Sequence, residues 1–198
     1  YLGDGSVTVD KDDTRGAYSY QGEDGSEEHR TYVNEDEADH GTIYVKGGNA
    51  PTGDVTPPTD NSGNGTEETT TGNTITVKED VKDATIVVDG VNVDTSDTST
   101  QTDTQTEVPA DAKKDKTIIK VGEGADVDLT VRDSNLTTGG NGIDIGVNLE
   151  GKDDNKETNV DLTLDNTKIN LTENATAGVN ARDNSDVDIT LKGDNTID

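Results

Sequence analysis

Two acidic positions recur through the second half of the chain, and they are the residues best placed to do chemistry. Three short segments carry them: D-V-D-L-T-V from Asp126, N-V-D-L-T-L from Asn159 and D-V-D-I-T-L from Asp186. Side chains on a strand point alternately to opposite faces. Val127, Leu129 and Val131 therefore share one face, and Asp126 and Asp128 share the other. If the segments lie side by side, Asp128, Asp161 and Asp188 form one outward column, and Asp83, Asp126, Asn159 and Asp186 form the next. Neighbouring strands are about 4.8 Å apart, and like charges directly opposite each other destabilise a pair. A bound cation relieves that repulsion, and Ca²⁺ takes about 6–8 oxygen ligands. Asp126, Asp128, Asp161, Asp186 and Asp188 are the candidate metal ligands, with Asp153, Asp154 and Glu157 as a second set in a turn. The plainer alternative is a hydrated acidic face screened by salt.

Elements that could hold such columns are visible as repeats. Residues 119–131 read I-K-V-G-E-G-A-D-V-D-L-T-V and residues 179–191 read V-N-A-R-D-N-S-D-V-D-I-T-L. Each is a short strand, a connector of equal length and an alternating strand. Residues 83–88, D-A-T-I-V-V, are a further copy of the second strand, and Ile143-Asp144-Ile145 of the first. The inward columns are Ala84, Val127, Val160 and Val187; then Ile86, Leu129, Leu162 and Ile189; then Val88, Val131, Leu164 and Leu191. The step from Ile119 to Ile143 gives the length of one coil. The step from Ile143 to Val179 is longer, but setting aside the polar stretch 150–158 brings it close to the first. The sequence thus predicts an all-β, right-handed parallel β-helix, a β-solenoid with coils of roughly 24–27 residues and polar loop insertions. Gly139-Gly140-Asn141-Gly142 is expected to supply left-handed corners. Asn92, Asn135 and Asn195, with Lys168 in the fourth copy, are expected at equivalent inward corner positions.

Composition agrees with a thin core. Leu, Ile and Val number 8, 10 and 19 in 198 residues, and Phe, Trp, Met and Cys are absent. With a net charge of −27, such a chain reads as disordered unless stacked repeats merge their few apolar residues into one core. The excess of 43 acids over 16 bases excludes nucleic acid as a partner. No apolar run approaches the roughly 18 residues of a membrane span, so membrane insertion is not expected. The organisation reads as an N-terminal β region over 1–49, a Thr/Gly/Pro-rich linker or excursion over 50–72, and the β-helix over 73–198. A second excursion is expected at 96–116. The start at Tyr1 and the stop within a pattern at Asp198 read as a piece of a longer chain.

The alternating strand followed by D-G-V-N-V or D-S-N-L, then G-I-x-I or G-V-x-A, resembles the β-helical carbohydrate-binding proteins of Clostridia and related Gram-positive bacteria. It is similar in style to the wider pectate-lyase-like superfamily. Residues 84–95, 117–148 and 159–198 carry the resemblance. It implies a secreted or cell-surface bacterial protein, an acidic or neutral polysaccharide ligand and calcium as cofactor. Tyr18, Tyr20, Tyr32 and Tyr44 are the candidate sugar-stacking residues, or alternatively an apolar cap. His29 and His40 are the sole histidines and no Ser-His-Asp or metal-His constellation appears, so no enzyme is expected. Arg132 and Arg182, near the acidic columns, are expected in ion pairs. A second reading is a structural stalk, adhesin or fibre subunit that self-associates through solenoid ends.

Overall fold

A computed structural model describes residues 1–10, 42–48, 70–96, 116–151 and 155–198, and the strand backbones of 17–21 and 27–31. After a 3-10 turn at Leu2–Asp4 come β1 (Ser6–Val9), β2 (Ala17–Gln21), β3 (Glu27–Thr31) and β4 (Thr42–Lys46). Next are β5 (Ile75–Val77), β6 (Ala84–Asp89), β7 (Asn92–Asp94), β8 (Ile119–Gly122), β9 (Asp126–Arg132) and β10 (Asn135–Thr138). The last are β11 (Asn141–Val147), β12 (Thr158–Asp165), β13 (Lys168–Leu171), β14 (Ala177–Ala181), β15 (Ser185–Lys192) and β16 (Thr196–Ile197).

These strands make an all-β fold of three sheets. The first runs β14-β11-β8-β5-β1-β2-β3, the second β15-β12-β9-β6-β4 and the third β16-β13-β10-β7. Pairing is parallel within the second and third sheets and from β14 to β1 in the first. β2 and β3 add antiparallel to β1. From β6 onward the chain visits the second, third and first sheets in fixed rotation. Within that stretch, strands three places apart in the chain therefore pair with each other. Ile119 pairs with Ile143 and Asn159 with Asp186, each one full rotation further along the chain. The step from Ala84 to its partner Val127 is longer, because the chain between them includes residues 97–115, which lie outside the described residues. Most of the expected linker at 50–72 lies outside them too. β1 and β4, from the expected N-terminal region, pair with β5 and β6.

The apolar side chains of all three sheets form one cluster, in which Leu129, Leu136, Ile143, Ile145, Leu162 and Ile169 are almost wholly buried. Each contributes about 1.5–3 kcal/mol by leaving water. The three inward columns of the second sheet pair residue for residue as the alternation requires.

The corner from the second sheet to the third is built the same way each time. Two residues past the last inward side chain, Gly90, Asp133, Asn166 and Gly193 all take φ between 49° and 64°. Gly, Asn and Asp tolerate this left-handed conformation best. The expected left-handed corner at Gly139-Gly140-Asn141-Gly142 is not formed, since none of these residues has a positive φ in that range. Gly142 serves close approach instead: a Cβ there would lie 2.5 Å from the Gly178 carbonyl oxygen.

The expected Asn column also needs correction. Asn92 pairs with Asn135 and Asn135 with Lys168, but Lys168 pairs with Thr196. Asn135 is exposed. The last corner holds one residue more than the others, so counting forward from Leu191 lands one position early. The inward corner position is instead Val91, Ser134, Thr167 and Asn195. Thr167 Oγ1 donates to the Val131 carbonyl at 2.9 Å, and Asn195 Nδ2 to the equivalent Leu164 carbonyl at 3.1 Å. The Thr167 and Val91 amides donate to Asn195 Oδ1 and Ser134 Oγ. Thr167→Val, which keeps shape and leaves the Val131 carbonyl with its ladder bond alone, is expected to cost about 0.5–1.5 kcal/mol, read from denaturant melts; an unchanged midpoint would mean the bond contributes nothing.

Candidate functional site

The outer face of the second sheet gathers the candidate residues. Along β9, β12 and β15 the D-V-D-L-T-V type of alternation turns every second side chain outward. Asp128, Asp161 and Asp188 lie in register, preceded by Thr85 and Thr42 on β6 and β4. Asp126, Asn159 and Asp186 form the parallel column beside them. All five candidate metal ligands, Asp126, Asp128, Asp161, Asp186 and Asp188, are exposed. Among the described residues none of them makes a salt bridge.

On the other side of the Asp128 column runs a column of Tyr44, Val87, Thr130, Thr163 and Thr190. Tyr44 is 47% exposed, so its ring stands on the same sheet face as the acids. Tyr18 and Tyr20 lie in β2, paired with Val9 and Val7 of the first sheet; their side chains, and Tyr32 altogether, lie outside the described residues. Tyr44 is thus the candidate sugar-stacking residue that joins the acidic columns.

One further column was missed at the sequence level. Lys46, Asp89, Arg132, Asp165 and Lys192 pair in that order, so their charges alternate in sign across five strands. Arg132 NH2 sits 2.8 Å from Asp89 Oδ2. That hydrogen bond raises the guanidinium pKa against the opposing cost of burial, with the Asp89 charge adding to it. The signal was present: each of these residues directly follows the last inward residue of its strand. The fold therefore sets every charge of one outward column beside an opposite charge, and leaves the three charges of the Asp128 column all negative.

On the first sheet, Asp144 lies between Ile143 and Ile145 and should face water, yet it is 2% exposed. Arg182 Nε and NH2 reach its two carboxylate oxygens at 3.1 and 2.7 Å, and Asn141 and Asn180 donate to it as well. Arg132 and Arg182 are both held in ion pairs.

Beyond the acidic columns, Asn155, Glu157, Asn184, Ser185 and Asp186 line a shallow concavity of about 430 Å³. Asp153 and Asp154, the other members of the second candidate set, lie outside the described residues. Among the described residues no three His, Cys, Asp or Glu side chains converge closely enough to hold a metal ion. The candidate ligands therefore do not form a closed cage.

No helix among the described residues is long and apolar enough to cross a membrane. Compared with family models, curated proteins and solved structures, the chain finds no match.

Proposed function

We propose that the chain is a right-handed parallel β-helix of the kind the resemblance implies. We further propose that the outer face of its second sheet binds polysaccharide at the bacterial cell surface with the help of calcium. The fixed rotation among three sheets supports the first part. The observation that carries the second is the contrast between two columns on one sheet face, with the Thr130 column between them. Lys46, Asp89, Arg132, Asp165 and Lys192 alternate in sign, whereas Asp128, Asp161 and Asp188 are aligned at the strand spacing of about 4.8 Å with no countercharge. Such a column favours a divalent cation, and a cation with coordination positions left open can bridge to uronate carboxylates or sugar hydroxyls. The Thr column and Tyr44 beside it offer hydroxyls and one aromatic face to the same ligand.

The test is a titration with polygalacturonate with calcium and with chelator. Binding is expected in calcium and lost in chelator, and Asp161→Asn is expected to weaken it. In chelator the same substitution removes one like charge from a column, so its melting temperature should equal or slightly exceed the parent's. Equal binding under both conditions, or none under either, would sink the reading.

A further inference from the structure

We propose that Asn141-Gly142 is a self-modification site, a deamidation switch that the fold holds off while β11 is paired and that bars refolding once it has fired. The proposal does not rest on the glycan reading. Of the two Asn-Gly pairs in the sequence, Asn64-Gly65 lies outside the described residues. Asn141-Gly142 opens β11, with β8 on one side and β14 on the other. The chemistry needs only water. The Gly142 nitrogen attacks the Asn141 side-chain carbonyl carbon and loses its proton, and the amide nitrogen leaves as ammonia. Water then opens the resulting succinimide at either carbonyl, giving aspartate or isoaspartate. Glycine in second place makes the attack easiest, because it has no side chain to obstruct the ring.

Each half of the pair is fixed by a separate contact. A Cβ at Gly142 would lie 2.5 Å from the Gly178 carbonyl oxygen and 2.7 Å from Ile169 Cγ2, so a larger residue does not fit. Asn141 Nδ2 donates to Asp144 Oδ2 at 3.1 Å. With Asn180 and Arg182 it surrounds a carboxylate that is 2% exposed. The labile pair is thus built into the stack. The folded chain protects it: the Asn141 carbonyl accepts from the Ile118 amide at 3.1 Å, and Asn141 pairs with Ala177. That carbonyl and the Gly142 nitrogen belong to one rigid peptide plane. The nitrogen therefore cannot turn onto the side chain unless β11 opens locally. Neither product fits back. Aspartate has no N–H to offer, so it sets a second carboxylate oxygen against Asp144 Oδ2. Its other oxygen takes the place of Asn141 Oδ1, which is buried with no hydrogen-bond partner among the described residues, and a charge there costs more than an amide. Isoaspartate runs the main chain through the former side chain, which adds a carbon to the strand and displaces Gly142 from Gly178.

The full chain is held at mildly alkaline pH, folded in one arm and unfolded in guanidinium chloride in the other. Peptide mass mapping follows residue 141 separately from Asn64. Deamidation at Asn141 is expected to be slower in the folded arm by about a hundredfold or more. After the denaturant is removed, the chains that fail to recover the native circular dichroism spectrum should be those modified at Asn141. Asn141→Ser, which keeps a donor and cannot form the succinimide, should fold both before and after the treatment. Asn141→Asp made directly should lower the melting temperature, and by much less in an Asp144→Asn background. Equal rates in the two arms, no reaction at Asn141 in the unfolded chain, or normal refolding of modified chains would each overturn the proposal. So would an Asn141→Ser chain that folds before the treatment and not after it, or an equal cost of Asn141→Asp in both backgrounds.

Discussion

Leu162→Asp is expected to lower the melting temperature by about 8 °C or more. Leu162 is fully buried on β12, flanked in its column by Leu129 and Ile189. The new carboxylate would have no partner in an aliphatic layer. Burying it costs several kcal/mol or forces it to stay protonated. A loss of about 4 kcal/mol corresponds to roughly 2–4 °C per kcal/mol for a chain of this size. The effect has a pH signature. A buried Asp has a folded-state pKa above its unfolded value of about 3.9, so the folded state binds the proton more tightly. The penalty is then smallest below that value and grows as pH rises toward neutrality. Leu162→Asn, which does not titrate, is the control: the two variants should diverge from about pH 4 upward. Melts in chelator measure both. A silent Leu162→Asp would mean that β12 does not face the core as described.

Gly122→Ala is expected to cost about 2–3 kcal/mol, although it adds a single methyl group. A Cβ at Gly122 would lie 2.6 Å from the Glu79 amide nitrogen, 2.8 Å from the Lys78 carbonyl carbon and 3.0 Å from the Glu79 Cα. All three are main-chain atoms, so no side chain can rotate away. The turn that would be pushed holds the next connection in place. Glu79 Oε1 accepts from the Leu149 and Glu150 amides at 2.7 and 2.9 Å, and Asp80 pairs with Lys156 at 2.7 Å. Besides the lower midpoint, the Leu149 and Glu150 amides should lose hydrogen-exchange protection. Gly151→Ala is the comparison, since no described residue lies within 4 Å of its Cβ and the cost there is that of a φ of 68°, about 1–2 kcal/mol. If both variants melt alike, close approach at Gly122 is not what selects glycine.

Much of the second sheet was legible because strand alternation is a local code. Once Val127, Leu129 and Val131 are placed inward, the partners of Asp128 follow by counting. Counting failed at the corner before β16, where one extra residue moved Asn195 out of the Asn92 column and into the inward position. Turn length is set by backbone conformation, which the residue types constrain only loosely. Asp144 was unreadable for a different reason. Alternation correctly aims it outward, and Arg182 and Asn180, from a segment brought there by the tertiary fold, then cover it together with Asn141 of its own strand. Glu79 shows the same limit: the amides it holds, Leu149 and Glu150, are far from it in sequence and meet it beside the gap left by Gly122.

The alternating column of Lys46, Asp89, Arg132, Asp165 and Lys192 gives the stack a parity. Strand-by-strand neutralisation works only when the sign changes at every step. Excising the single layer that contributes Asp165 would bring Arg132 against Lys192, and duplicating it would bring two aspartates together. Each such contact turns an attraction into a repulsion of about 0.2–1 kcal/mol. Layers gained or lost in pairs keep every contact attractive. Lengthening this protein by internal duplication is therefore easier by two layers than by one, a constraint that the Asp128 column on the same face does not impose.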